Sequence, residues 1–357
     1  MRTRNKKKKI LLIAIIFFGL ISGFSLLSLL GQGQFKQLNF IDLPCKNIRK
    51  IPGAEDLALN KKGFLFLASQ DRQSPIYEQI WPQGSIFGIP LEDSKAKAID
   101  LKNSSFPSEF HPRALGIFEN SEGTSLFVVN YRKNGFTIEV FGWKDNILSH
   151  QKTITSPLFI QPSGIAVISH KQFYILNEYG LYTTLGHAIE DLLQLKKSHM
   201  LYFDGKSMRK TKYHFRQAFG ITFNPQMNAL FVSDQADKSI HRVDLEKGTQ
   251  EKVLSLPSHP AHLNWDASTQ KIWLAAHPKL IQLKSHSLDP RAVPSPTQVI
   301  AISYEEKSSI FRTNEVMTSI NSKVSGGTSV LPWKSEILIG AAFENGIARC
   351  RTQQSSS

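Results

Sequence analysis

The sequence lacks the short motifs that mark several common enzyme classes. It contains no Gly-x-Ser-x-Gly, no His-Glu-x-x-His, no Cys-x-x-Cys and no glycine-rich phosphate loop. A serine-hydrolase elbow, a zinc-peptidase helix, a dithiol redox centre and a nucleotide-phosphate loop are therefore not indicated. Helical periodicity is also scarce beyond the N-terminal region, which argues against a mainly helical fold.

A dense basic stripe is missing as well, although the net charge of the 357 residues is +14. Arg2, Arg4 and the lysines at 6–9 carry part of this charge, and the remainder is dispersed along the chain. Phosphate binding needs clustered Lys or Arg, so no nucleic-acid partner is expected. A basic surface that faces an anionic membrane is the simpler interpretation.

Residues 10–30 form an apolar segment without a single charged residue. As a helix rising ~1.5 Å per residue, this segment would span about 31 Å, enough to cross a bilayer core. A cleaved signal peptide is the alternative, but its apolar region usually covers only about 7–15 residues. We therefore expect a transmembrane signal anchor at 10–30, a cytoplasmic basic head at 1–9, and all later residues outside the cytoplasm.

The chain has two cysteines, Cys45 and Cys350, which bracket the part expected to fold. Disulfides persist in oxidising compartments, so the predicted export favours a bridge between them. Two unrelated buried thiols are the alternative.

A pattern of short strands recurs six times after the apolar segment. Each copy has a turn into an apolar strand, then a polar turn and a second apolar strand, as at residues 115–130 and 219–234. Periods of roughly 40–60 residues with several strands per unit are typical of propeller blades. The repeated turn positions are Asp56, Gly116, Gly164, Gly220, His262 and Thr328.

We therefore predict an all-β fold: a six-bladed β-propeller at 43–351, after a linker at 31–42 and before a tail at 352–357. A β-sandwich of the same strands is the alternative, but it would not repeat one inner-strand pattern six times.

A further strand is expected at 280–283. The spacing of apolar residues at 184–197 predicts a helix, either simply packed on the blades or serving as a lid or membrane contact.

Several local sequences, read in this order, resemble the paraoxonase/arylesterase family. They are Leu43-Pro44-Cys45, Ala54-Glu55-Asp56-Leu57, Phe127-Val128-Val129-Asn130, Ala276-His277-Pro278, Ile337-Leu338-Ile339-Gly340 and Cys350. The resemblance covers roughly residues 43–350. It implies a six-bladed propeller with an N-to-C disulfide, a retained apolar N-terminus and calcium in the central tunnel, and an activity on lactones and aryl esters.

By this resemblance, Glu55 and Asp56 are metal ligands, and Ser163 supplies a hydroxyl where the family has Asn. Phe219 and the pair Ala261-His262 replace further Asn and Asp ligands, so the calcium site is degraded. The side chains expected to line the tunnel are Leu115, Phe219 and Thr328.

Two histidines are candidate catalytic groups. His262 could form an acid/base pair with Glu55, could join it in binding zinc, or could merely fill the space of a missing calcium. His277 is expected near the tunnel mouth, where a structural role is the alternative. The predicted function is a paraoxonase-like hydrolase of lactones or aryl esters, and the alternative is a catalytically silent propeller that binds a small molecule or a protein.

Overall fold

The computed structural model describes residues 37–352, apart from residue 122 and residues 321–323, and three isolated residues at 15, 19 and 23. Apart from those three, the predicted basic head and membrane segment lie outside the described residues. Among the helices that are described, none is long and apolar enough to cross a membrane.

Six four-stranded antiparallel sheets make up the fold, as the all-β prediction requires. The strands are β1 (Cys45–Pro52), β2 (Ala54–Leu59), β3 (Phe64–Ser69), β4 (Ser85–Pro90), β5 (Ile99–Asp100), β6 (His111–Asn120), β7 (Gly123–Arg132), β8 (Gly135–Lys144), β9 (Ile147–Thr155), β10 (Pro162–Val167), β11 (Phe173–Asn177), β12 (Ser198–Phe203), β13 (Met208–Phe215), β14 (Ala218–Asn224), β15 (Ala229–Asp234), β16 (Ser239–Asp244), β17 (Thr249–Ser255), β18 (His259–Asp266), β19 (Lys271–His277), β20 (Thr297–Glu305), β21 (Ile310–Ser319), β22 (Gly327–Trp333), β23 (Glu336–Ala341) and β24 (Asn345–Arg351). The helices are α1 (Ser74–Tyr77), α2 (Thr184–Leu193) and α3 (Leu280–Leu288).

Five blades are continuous in sequence, and each begins with its inner strand. These blades are β2–β5, β6–β9, β10–β13, β14–β17 and β18–β21. The sixth blade has the order β1-β24-β23-β22, so the first strand of the chain forms its outer edge. This arrangement closes the ring, and the prediction of a six-bladed propeller is confirmed.

The closing strand pair carries the disulfide. Cys45 and Cys350 are directly opposite in the β1–β24 register and are bonded to each other, with a Cα–Cα distance of 4.0 Å. The predicted bridge is therefore confirmed. Just before β1, Ile41 exchanges two backbone hydrogen bonds with Thr318 in β21, so the end of the predicted linker already contacts the fifth blade.

Apolar side chains fill the space between neighbouring blades. One cluster, for example, joins Phe66 of the first blade to Leu126 and Phe141 of the second, and equivalent clusters lie at the other blade contacts. Inner strands such as β2 and β10 are buried along almost their whole length, whereas most residues of an outermost strand such as β9 are exposed. Burial therefore increases towards the axis, where the inner strands enclose the tunnel.

The two longer helices, α2 and α3, lie on the face of the propeller where the inner strands begin. The predicted helix at 184–197 is confirmed as the shorter α2: Thr183 caps its start, and Gln194 ends it in a left-handed conformation, with φ 51°. The strand predicted at 280–283 is wrong, because these residues begin α3. Leu280 and Leu283 are three positions apart, which places both on one helix face, and both contact the tunnel mouth.

Candidate functional site

The tunnel is divided into two cavities that share no lining residue. The upper cavity, of about 630 Å³, lies beneath α2 and α3 and is lined by Glu55, Phe219 and Thr328, among others. The lower cavity, of about 740 Å³, opens on the opposite face, and its wall includes Asp56, Leu115 and His262. The predicted ring residues therefore lie along the tunnel but do not converge on one point.

Glu55 is held by two arginines at the floor of the upper cavity. Its Oε2 accepts a hydrogen bond from Arg72 Nη2, and Arg113 Nε lies 3.6 Å from its Oε1. Both carboxylate oxygens therefore face guanidinium groups, and the Glu55 side chain is only 6% exposed.

Arg113 is the centre of this polar cluster. Its Nη2 donates to Glu178 Oε2 at 3.0 Å, and its Nη1 donates to the Tyr131 hydroxyl at 2.8 Å. The guanidinium also lies 5.5 Å from the centre of the Phe219 ring, within the range of a cation–π contact. Arg113 follows the turn into β6, so the second blade projects a permanent cation into the position between two buried carboxylates.

The electrostatics of the cluster are balanced internally. Burial alone would lower the pKa of Arg113, but Tyr131, Glu178 and Glu55 raise this pKa above its ordinary value. Burial raises the pKa of Glu178, although Arg113 acts in the opposite direction. Arg72 and Arg113 together match the charges of Glu55 and Glu178, so the cluster does not require a metal cation for neutrality.

Asp56 joins three blades rather than presenting free oxygens. Its Oδ1 accepts from the Leu57 amide and the Ser329 hydroxyl, and its Oδ2 accepts from the Leu115 amide at 2.9 Å. Ser163, the third predicted ligand, is fully buried, and its hydroxyl donates to the Ala218 carbonyl of the next inner strand at 2.9 Å. Both side chains therefore hold inner strands together.

These contacts do not fit a calcium ion. Calcium needs about six to eight oxygen ligands, whereas Glu55 is paired with guanidiniums and Asp56 is already hydrogen-bonded through both oxygens. Leu115 and Phe219 add apolar surface at two further ring positions. Glu55, Asp56 and Ser163 thus each have partners within the protein, and Glu55 and Asp56 line different cavities.

The described residues contain one other cluster of side chains with the spacing to bind a metal ion. It consists of Asp234, Asp237 and His241 in the fourth blade. Asp237 is already paired, with Arg216 at 3.2 Å and Lys252 at 2.9 Å. This group therefore has counter-ions of its own.

His262 and Glu55 line different cavities, so the structure does not bring together the acid/base pair that was one of the three alternatives for His262. Its Nδ1 is instead 3.8 Å from Asp56 Oδ2, and its ring lies 4.9 Å from that of Phe219. His262 Nε2 has no hydrogen-bond partner among the described residues. His262 and Phe219 thus form part of the layer between the cavities.

His277 lies at the upper cavity, directly opposite His259 in the β18–β19 register. Burial, together with nearby histidines, lowers the pKa of His277 to about 3. Burial likewise lowers the pKa of His259 to about 4, although its Nδ1 donates to the Gln235 carbonyl at 2.9 Å. Both imidazoles are therefore neutral at pH 7.

Sequence reasoning missed Arg113, Glu178 and His259. A signal for His259 exists, since His259-Pro260 in β18 and His277-Pro278 after β19 repeat the same dipeptide. No local motif distinguishes Arg113 or Glu178, because their partners lie on other blades.

The comparisons with known proteins agree with this architecture. The family model "Arylesterase" matches residues 32–350. The chain belongs to the arylesterase family. It is 27% identical to chicken (Gallus gallus) serum paraoxonase/arylesterase 2, over 87% of this chain and 90% of that protein. It is 26% identical to human (Homo sapiens) serum paraoxonase/lactonase 3, over 82% and 84%.

One further relative and one solved structure have lower sequence identity to this chain. Mechanosensory abnormality protein 6 of Caenorhabditis elegans is 25% identical, over 69% of this chain and 67% of that protein. A solved luciferin-regenerating enzyme superposes with a TM-score of 0.55 at 11% identity, covering 88% of this chain and 96% of that one. That likeness shows the fold alone.

We predict that Arg113→Met destabilises the fold by about 3–5 kcal/mol, because it leaves Glu55 and Glu178 buried with less compensating charge. The free energy of unfolding in urea measures this loss. Adding Glu178→Gln should recover part of it. The control is Arg132→Met, which breaks a more exposed pair with Glu109 and should cost at most about 1 kcal/mol. Equal losses in both single variants would contradict a structural role for the Arg113 cluster.

We also predict that acid weakens the fold through His277. A histidine whose folded pKa is lowered stabilises the protein above the unfolded pKa of about 6.5, and this contribution is lost as the pH falls towards the folded value of about 3. For His277 the loss is about 3 kcal/mol by pH 4. His277→Leu should flatten the pH dependence of the unfolding free energy between pH 7 and 4, and exposed His214→Gln should not. An unchanged slope in His277→Leu would refute this origin.

Proposed function

We propose that this protein is a calcium-independent member of the arylesterase family that binds a small, uncharged ester- or lactone-like molecule in the upper cavity. The observation that carries the proposal is the Arg113 guanidinium, which lies between the buried carboxylates of Glu55 and Glu178 and supplies a positive charge to both. The names of the relatives, arylesterase and lactonase, support the ligand class.

The wall of the upper cavity supports a ligand that is partly apolar and accepts hydrogen bonds. Phe219, Leu280 and Phe343 supply apolar surface, and the side-chain amide of Gln235 supplies a donor. The volume of about 630 Å³ lies within the usual range for small-molecule sites.

Hydrolysis without a metal is a second candidate function. The upper cavity contains two neutral imidazoles, His259 and His277, together with the fixed cation of Arg113. A neutral imidazole can act as a general base, and a guanidinium can stabilise the oxyanion that forms on an attacked ester. Family membership supports this candidate.

The test is an assay of the purified full chain with phenyl acetate and a γ-lactone, with added calcium or with chelator. We expect neither turnover nor melting temperature to depend on calcium, because Glu55 and Asp56 have no free oxygens for the ion. Saturable lactone binding measured by calorimetry, weakened by Phe343→Ala and not by exposed Phe40→Ala, would support the binding function.

Other outcomes of this assay separate the alternatives. Turnover that survives chelation and disappears in His277→Gln would support metal-free hydrolysis. Turnover lost on chelation and in Glu55→Gln, but retained in Glu109→Gln, would overturn the proposal and restore calcium catalysis.

We further propose that residues 10–30 anchor the protein in a membrane, with the propeller outside the cytoplasm. The uncharged segment and the basic residues before it support this orientation, and the Cys45–Cys350 bridge is consistent with an oxidising compartment.

This topology predicts that both cysteines are oxidised in the native cell. Cells would be quenched in acid, and thiols of the denatured protein would be labelled with a maleimide polymer that shifts the protein on a gel. We expect a shift only after reduction, and retention of the chain in membranes after alkaline washing. Labelling of both cysteines without reductant would place the propeller in the cytoplasm. A variant without residues 10–30 is the control, and alkali should release it from the membranes. Release of the full chain by the same wash would contradict the anchor.

A further inference from the structure

The lower cavity has an apolar wall built by all six inner strands. Each strand contributes aliphatic or aromatic residues to the lining, and these residues also pack in or against the clusters between blades. They are Leu57, Leu59, Ile117, Ile165, Val167, Ile221, Phe223, Leu263, Trp265, Leu331 and Trp333. At about 740 Å³, the cavity falls within the size range of small-molecule sites.

The charged groups of the lower cavity do not select a charged ligand. The mouth carries both signs, including Lys61, Asp266 and Lys334. Lys334 pairs with Glu92 at 2.6 Å, and the Asp266 carboxylate accepts from the Ser268 and Thr269 side chains. At the inner end, both Asp56 oxygens are hydrogen-bonded. The wall between the mouth and Asp56 is therefore suited to an uncharged molecule.

Two polar ring atoms along this apolar wall have no hydrogen-bond partner among the described residues. They are Nε2 of His262, at the inner end, and the indole N–H of Trp265. A buried polar group without a partner is costly and uncommon. His262 Nδ1 faces Asp56 Oδ2, which favours the proton on Nδ1 and leaves Nε2 as an acceptor.

We propose that the lower cavity is a second ligand site, which binds a neutral, largely apolar small molecule with one hydrogen-bond donor directed towards His262. The apolar wall would supply most of the affinity, and the His262 acceptor would set the orientation of the ligand. This site is separate from the upper cavity and does not depend on the function proposed there, because the two cavities share no lining residue.

The probe is N-phenyl-1-naphthylamine, an uncharged fluorophore with a single N–H donor. Titration of the full chain should give saturable fluorescence enhancement and energy transfer from tryptophan, and Trp265→Phe should reduce the transfer. Ile117→Trp, which fills the lower cavity, should weaken binding about tenfold. The matched control is Leu283→Trp, at a half-buried position of the upper cavity, which should leave the affinity unchanged.

The donor contact has its own test. His262→Phe should weaken the probe about fivefold and leave the affinity for its N-methylated analogue, which lacks the donor, unchanged. Equal weakening of both compounds would overturn the His262 contact.

The site itself is rejected by any of three results. The first is fluorescence that does not saturate. The second is binding that Leu283→Trp, or Leu185→Gln on exposed α2, weakens while Ile117→Trp does not. The third is energy transfer that is unchanged in Trp265→Phe. The transfer measurement keeps the test decisive if Ile117→Trp fails to fold.

Discussion

Closure of the ring by β1 and β24 is the constraint on which the remaining structure depends. Each blade packs its apolar faces against two neighbours, so the position of every inner strand is set only when the last blade meets the first. The Cys45–Cys350 bridge fixes this pairing covalently. Asp56 and Thr328 extend the closure to the axis, because Thr328 donates to the Glu55 carbonyl and Ser329 donates to Asp56 across the same blade contact.

An internal ion-pair cluster lies at the centre of this ring. A guanidinium is a fixed, planar cation that satisfies carboxylates without recruiting water or metal from solvent. Between Glu55 and Glu178, Arg113 provides the charge that lets two carboxylates remain buried. Phe219 and His262 continue this layer and separate the upper from the lower cavity. The family fold thus has a buried ion-pair cluster at its axis in this chain.

An expectation from sequence was correct where the interacting residues follow a local pattern or the closure of the ring joins them, and it was incorrect where the contact depends on other residues far apart in the chain. The six strand copies, α2 and the cysteine pair could be predicted because local periodicity and ring closure determine them. The strand expected at 280–283 failed because a short apolar run fits a strand or a helix equally well. His262 lies beside Asp56 and not beside Glu55, since these two adjacent residues line different cavities at an irregularity of the β2–β3 register.

The sequence by itself determined the all-β propeller, its six blades and its disulfide, since repeated strand patterns leave few ways to bury their apolar faces. It also determined that Phe219 and Leu115 offer no ligands, because hydrocarbon side chains cannot coordinate a hard cation. Only the tertiary structure decided that Arg113 meets Glu55 and Glu178. These residues come from three blades and are 58 and 65 positions from Arg113 in the chain. Their electrostatic interaction depends on distances that exist only after the ring has closed.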